Sequence, residues 1–387
     1  MRRPRLKAPV GLGVAYYHCV SRVVNREYAL GDVEKEKFRE LMRVYERLCG
    51  LRVAAYCIMS NHFHILVEVP RRPAAEELPG DRELVALVGE CLGDKQANGL
   101  QWELGQLRKI GAAAAAEALR ERWFARMWDV SQYMKVLKQR FSQWFNGRHG
   151  RRGTLWEERF RSVLVEGKGP ALRTMAAYID LNPVRAAICA DPKDYRWCGY
   201  GEAVAGGRAA RRARAAVAWL ASFDARGRER AAAAKEAGPG AKREAGAGAG
   251  GRGRREAAEE LEALRRWRCE LFGVPVSEAR QEERRAGPGG GGRLGAGRRR
   301  VARAKALEVL ASGGRLSRAD YLRCRVRYFT DGAVLGGRDF VDAVFQAARD
   351  RFTAGRTSGA RPLRGLELAP KPERLYNLRQ LQRGVFG

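Results

Sequence analysis

The segment that most constrains the fold is Tyr56-Cys57-Ile58-Met59-Ser60-Asn61-His62-Phe63-His64-Ile65-Leu66-Val67-Glu68-Val69-Pro70. Apolar runs flank Ser60-Asn61 on both sides, which is the pattern of strand, tight turn, strand. Side chains alternate along a strand, so His62 and His64 leave one face together. Phe63 and Ile65 then point to the opposite face, where a core would form. The chain holds four histidines, and two of them sit here. Two imidazoles on one face suit a divalent cation. The bland reading is two ordinary polar residues on the wet face of a half-buried sheet.

The flanking sequence gives this hairpin its setting. Ala15 to Val24 is rich in β-formers and predicts a first strand. Asn25-Arg26 reads as a turn. Asp32 is placed to cap a helix whose stripe is Phe38, Leu41, Met42, Tyr45 and Leu48, and Gly50 to end it. Strand, helix, strand, strand is the first half of a ferredoxin-like layer. Asp129 predicts the cap of a further helix, with Tyr133, Met134, Val136, Leu137, Phe141, Trp144 and Phe145 on its apolar face. Phe160 to Glu166 predicts a fourth strand. A last helix starts near Pro170 and ends at or just before Asn182, because Pro183 disfavours helical geometry in the residue before it.

The expected fold class is α+β: a ferredoxin-like antiparallel sheet with helices on one face, then a disordered basic linker and a small helical domain. The expected boundaries are 1–200 for the α+β domain carrying a helical insertion at 71–128, and 201–300 for a flexible Ala/Gly/Arg-rich linker. Residues 301–355 form the small helical domain and 356–387 a basic tail. Short helices are expected at about 208–222 and 255–272 within the linker. Others are expected at about 301–311, 317–328 (with Ser317 as cap) and 338–352.

Charge narrows the partners. Lysine and arginine number 74 against 44 acidic residues, a formal net charge of +30. Such an excess points first to nucleic acid. No apolar run approaches the roughly 20 residues of a spanning helix, so no membrane partner is expected. The basic start, Met1 to Lys7, is not followed by an apolar stretch of the signal-peptide kind. A cytoplasmic, nucleoid-associated protein is therefore expected. The eight cysteines have no metal-type spacing and read as reduced core residues.

Near the fourth strand, Arg148, Arg151, Arg152, Arg159 and Arg161 form a dense basic group, read as phosphate contacts that position DNA without reading its sequence. Trp156 beside them is a candidate to stack an unpaired base, or a core residue. His149 is read as a phosphate contact; His18, in the first strand, either faces the same site or packs, with packing favoured. Tyr178 and Asn182 are four apart and share a helical face. Tyr133 is a rival hydroxyl, but its neighbours Met134 and Leu137 make it a core tyrosine.

Several of these stretches resemble one family. Met59-Ser60-Asn61-His62-Phe63-His64 looks like the histidine-hydrophobe-histidine motif of the HUH endonuclease superfamily. Tyr178-Ile179-Asp180-Leu181-Asn182-Pro183-Val184-Arg185-Ala186 resembles the tyrosine segment of the REP-associated tyrosine transposases, a branch of the single-tyrosine HUH transposases. Gly153-Thr154-Leu155-Trp156-Glu157-Glu158-Arg159-Phe160-Arg161-Ser162 and Tyr195-Arg196-Trp197-Cys198-Gly199-Tyr200 resemble the same family, so the likeness covers about residues 10–200.

The resemblance implies metal-dependent cleavage and rejoining of single-stranded DNA at hairpin-forming palindromes. Tyr178 would be the nucleophile, forming a 5′-phosphotyrosine link. His62, His64 and Asn182, through its amide oxygen, would hold Mg2+ or Mn2+. Imidazole donors favour manganese over magnesium. A tyrosine hydroxyl, with a pKa of about 10, is a weak nucleophile until it loses its proton in place. The covalent link conserves the phosphodiester energy, so no nucleotide cofactor is expected. A monomer is favoured over a homodimer. Two alternatives stand beside this reading. One is a non-catalytic hairpin DNA- or RNA-binding protein of the same fold, with RNA disfavoured because no aromatic RNP1 pattern occurs. The other is a metal phosphoesterase that uses water.

Overall fold

A computed structural model describes residues 6–9, 12–168, 170–207, 210–222, 249–272, 327–330, 332–353, 355–363 and 374–379. They fall into two compact units.

The first unit comprises residues 7–53 and 58–162. It opens with β1 (Val14–Arg22), α1 (Asp32–Leu48), β2 (Arg52–Ile58) and β3 (His62–Pro70), the order expected from the sequence. Helices α2 (Asp81–Leu92), α3 (Asp94–Lys109) and α4 (Ala113–Phe124) follow, then α5 (Val130–Arg148). Strand β3 lies between β2 and β1. The turn joining β2 to β3 closes through the Met59 N–H, which donates to the His62 carbonyl at 2.8 Å. Strand β1 runs antiparallel to β3, with His18 opposite Leu66, Val20 opposite His64 and Arg22 opposite His62. Paired residues share a face, so His18, His62 and His64 all project from the same side.

The other face of β3 carries the core. Phe63 meets Phe38 of α1 at 4.6 Å between ring centroids, and Phe38 meets Phe141 of α5 edge-on at 5.1 Å. Trp156 completes the cluster, 5.4 Å from Phe63 and 5.8 Å from Phe141. It is 7% exposed, and its indole N–H donates to the Lys138 carbonyl. The base-stacking role expected for Trp156 is therefore corrected: the ring is packing, and the short sequence around it carried no period to reveal that. Removing a ring such as Phe38 from this cluster would cost roughly 3–5 kcal/mol.

Local chemistry explains the helix ends. The Asp129 carboxylate accepts from the backbone N–H groups of Ser131 and Gln132 at 2.6 and 3.1 Å, a side-chain cap for α5. For α1 the expectation needs correcting. Gly31 is the N-cap and Asp32 the first helical residue, where its charge faces the positive end of the helix dipole. Helix α1 stops before Gly50, whose φ of +61° is a left-handed conformation.

The second unit holds residues 54–57 of β2 and the described residues from 163 onward, with Leu6. Its elements are β4 (Arg161–Val165), α6 (Pro170–Asp180), α7 (Asn182–Arg185), α8 (Gly199–Ala205), α9 (Arg211–Ala221), α10 (Ala249–Phe272), α11 (Arg327–Thr330), β5 (Val334–Gly336), α12 (Arg338–Ala347), β6 (Arg361–Pro362) and β7 (Tyr376–Leu378). Strand β4 pairs parallel with β5, and β7 pairs antiparallel with both β5 and β6. The fold class is α+β with mostly antiparallel pairing, as expected.

Helix α6 ends at Asp180, before Asn182 as expected, but the reason needs correcting: Asn182 itself opens α7, with Pro183 in that helix's first turn, where a missing N–H costs nothing. The described parts of 301–387 differ from the helical and loop-like expectation by contributing three strands. These strands span two or three residues each, too short for a period to register in the sequence. The helix expected at 301–311, and most of that at 317–328 with its cap Ser317, lie outside the described residues. Among the described residues no helix is long and apolar enough to cross a membrane. The seven described cysteines are free thiols.

Candidate active site

Within the first unit the hairpin brings three imidazoles together. His62 is half-buried, His64 is 2% exposed and His18 is fully buried. The His62 and His64 rings meet edge-on at 5.0 Å. His62 Nδ1 lies 2.6 Å from Asn61 Oδ1, and His64 Nδ1 lies 2.9 Å from His18 Nε2. An amide oxygen can only accept, so His62 Nδ1 carries the proton in that bond. Nε2 is then the nitrogen that His62 would offer a cation, and the same holds for His64 if its Nδ1 is the donor.

This is the usual arrangement of metal-binding histidines, in which an outer partner fixes the ring and its tautomer. Imidazole donors suit Mn2+, which tolerates nitrogen ligands, better than Mg2+, which prefers oxygen. Among the described residues no group of three or more His, Cys, Asp or Glu side chains is arranged to hold a metal ion. The set expected from sequence, two imidazoles and an amide, is of a different kind.

The second unit holds the other two expected residues. Tyr178 is 1% exposed. Its ring stacks on Phe329 of α11 at 4.6 Å, and the Arg185 guanidinium carbon sits 4.6 Å from its centroid, a cation–π contact. Asn182 is 6% exposed. Its amide nitrogen donates to the carbonyls of Tyr178 and Ile179 at 3.0 and 3.4 Å, and its Oδ1 accepts from Arg185 at 3.4 Å. Asn182 thus ties off the end of α6 while presenting its oxygen to a cationic side chain.

Between them lies a residue whose role the sequence did not suggest. The Asp180 carboxyl is fully buried and accepts from the Trp267 indole N–H at 2.9 Å and from the Tyr200 backbone N–H at 3.3 Å. Burial pushes its pKa up to about 7 against the opposing pull of those two bonds. The signal was available: a carboxylate inside the apolar run Ile179-Asp180-Leu181 must find donors somewhere. The donors, however, are 20 and 87 residues away, beyond any local pattern. Nearby, the Tyr56 hydroxyl donates to Glu202 at 2.9 Å. A side chain at Gly201 would overlap the Tyr195 carbonyl, which accounts for glycine in α8.

The expected basic group is spread across several local pairings. Arg148 lies 3.7 Å from Glu34 and Arg151 lies 3.8 Å from Glu27. Arg161 pairs with Glu158 at 2.7 Å. Arg152 and Arg159 are exposed. His149 Nε2 lies 3.1 Å from the Glu34 carboxylate, an acidic neighbour that its expected role as a phosphate contact did not include. Tyr133, the rival hydroxyl, is fully buried, and its hydroxyl donates to the Met42 carbonyl at 3.4 Å. Burial raises its pKa well above the ordinary tyrosine value.

Part of this chain is similar to known proteins. The family described as "Transposase IS200 like" matches residues 13–78. A search of curated proteins gives no significant match. Among solved structures, one described as a REP-associated tyrosine transposase bound to a REP hairpin is similar at 14% identity. It covers 53% of this chain and 86% of its own, with a TM-score of 0.31. The segment 13–78 contains β1, α1, β2, β3 and all three clustered imidazoles, and over that segment the chain is similar to the IS200-like transposases.

Proposed function

We propose that the protein cleaves and rejoins single-stranded DNA through Tyr178, at sites next to hairpin-forming palindromes, with His62, His64 and Asn182 holding Mn2+ or Mg2+. One observation carries the reading: the two anchored imidazoles of β3 lie inside the segment that matches the IS200-like transposases. A bound divalent ion would neutralise charge on the scissile phosphate. The chain's own residues do the rest. The Tyr178 oxygen bonds to phosphorus and the bond from phosphorus to the 3′ oxygen breaks. The phenolic proton is the one that the departing 3′ oxygen finally carries. Asn182 and Arg185 hold the end of α6 next to Tyr178, and the exposed Arg152 and Arg159 contact phosphates.

The experiment is incubation of the full chain with Mn2+ and an end-labelled single-stranded hairpin oligonucleotide, followed by denaturing gel electrophoresis. A labelled protein adduct that disappears in Tyr178→Phe is the expected result. Cleavage without an adduct would mean water is the nucleophile. The burial of Tyr178 beneath Phe329 favours a second reading, a hairpin-DNA-binding protein that does not cut. That reading predicts binding with neither cleavage nor adduct.

A further inference from the structure

We infer that His18 is a positioning residue for His64: it accepts a hydrogen bond from His64 Nδ1–H, fixing the tautomer whose Nε2 lone pair can ligate a divalent cation. This rests on the metal-site reading of His62 and His64, and adds to it a residue that reading does not contain.

Val20 is opposite His64, so His18, two residues along β1, is the diagonal neighbour of His64 on the same face. Diagonal neighbours are within reach only of long or aromatic side chains, and the two rings lie nearly parallel, 15° apart, with centroids 5.1 Å apart. Their contacting nitrogens are 2.9 Å apart, a hydrogen-bond distance. Both residues are buried, so a polar mismatch there would be expensive.

One proton occupies the line between the two nitrogens, and it has two possible owners. If His64 Nδ1 owns it, Nε2 of His64 carries a lone pair. If His18 Nε2 owns it, neutral His64 must carry its own proton on Nε2 and cannot ligate through that atom. Only the first assignment matches the way Asn61 holds His62, whose Nδ1 must be the donor. Both histidines of the pair then present the same nitrogen, each held by its own acceptor. His18 is not itself a third ligand, because the nitrogen it directs at the cluster is the one bonded to His64. The absence of any described three-residue metal group agrees.

The test is Mn2+ binding by the full chain, measured as loss of the free-ion electron paramagnetic resonance signal, with no DNA and no turnover. His18→Leu keeps a side chain of roughly similar bulk but removes the acceptor. It is expected to weaken binding about 10–100-fold, the range for loss of an outer-shell partner. His18→Gln restores an acceptor oxygen and is expected to recover most of the affinity. Thermal melts of both variants check folding. If His18→Leu does not fold, His18→Gln is compared with His18→Met, which has bulk and flexibility but no strong acceptor. Native affinity in the leucine or methionine variant, with binding lost in His64→Ala, would overturn the positioning role and leave the metal reading standing. No Mn2+ binding by the wild-type chain would overturn both.

Discussion

At the scale of single residues, the chemistry of the chain is concentrated in side chains buried against its apolar segments. Asp180 is the sharpest case. Its native pKa of about 7 lies above the ordinary 3.8, so the folded protein keeps a proton that the unfolded chain has lost across that interval. Unfolding there releases the proton. The contribution of this group to stability is therefore fully present below about pH 4 and is lost as pH rises through about 7. Asp180→Asn removes the group that titrates. Melting temperatures at pH 5 and pH 7 should differ less in the variant than in the wild type, and an equal difference would contradict the assignment. The imidazole pair was readable because strand alternation is a two-residue rule and both histidines lie in one short strand. The partners of Asp180, His18 and Tyr178 were not readable. Apart from Arg185 beside Tyr178, they come from distant segments, and Phe329 lies 151 residues beyond the ring it stacks on.

At the scale of elements, the sequence spoke most clearly where a period or a cap had room to show. Helix α5 spans 19 residues and begins at the expected aspartate. Asp129→Ala leaves the N–H groups of Ser131 and Gln132 without their carboxylate and should cost about 1 kcal/mol, read as a shift in denaturant midpoint at constant slope. Strands β5, β6 and β7 escaped notice because two or three residues carry no alternation, and pairing partners from elsewhere define them. Helix α11 matters for a different reason. It has four residues, and through Phe329 it closes one face of the Tyr178 ring. Phe329→Ala should open that face and raise the initial rate of adduct formation on the hairpin oligonucleotide. A rate equal to or below that of the wild type would mean that Phe329 does not restrict the hydroxyl.

At the scale of the whole molecule, the excess of 30 positive charges would govern how the proposed nucleic-acid partner is met before any chemistry occurs. Phosphate contacts release counterions, so affinity for single strands falls with salt by a slope of about 0.7 per contact on a log–log plot. The double variant Arg152→Gln, Arg159→Gln should reduce that slope by about 1.4 without changing preference among sequences. An unchanged slope would place the DNA elsewhere. The central claim is narrower than charge and concerns one hydroxyl. Protease digestion of the Mn2+-dependent DNA adduct, followed by mass spectrometry of the nucleotide-bearing peptide, tests it most directly. The account predicts a single modified residue, Tyr178. A link at any other tyrosine, or cleaved DNA with no linked peptide, would contradict it.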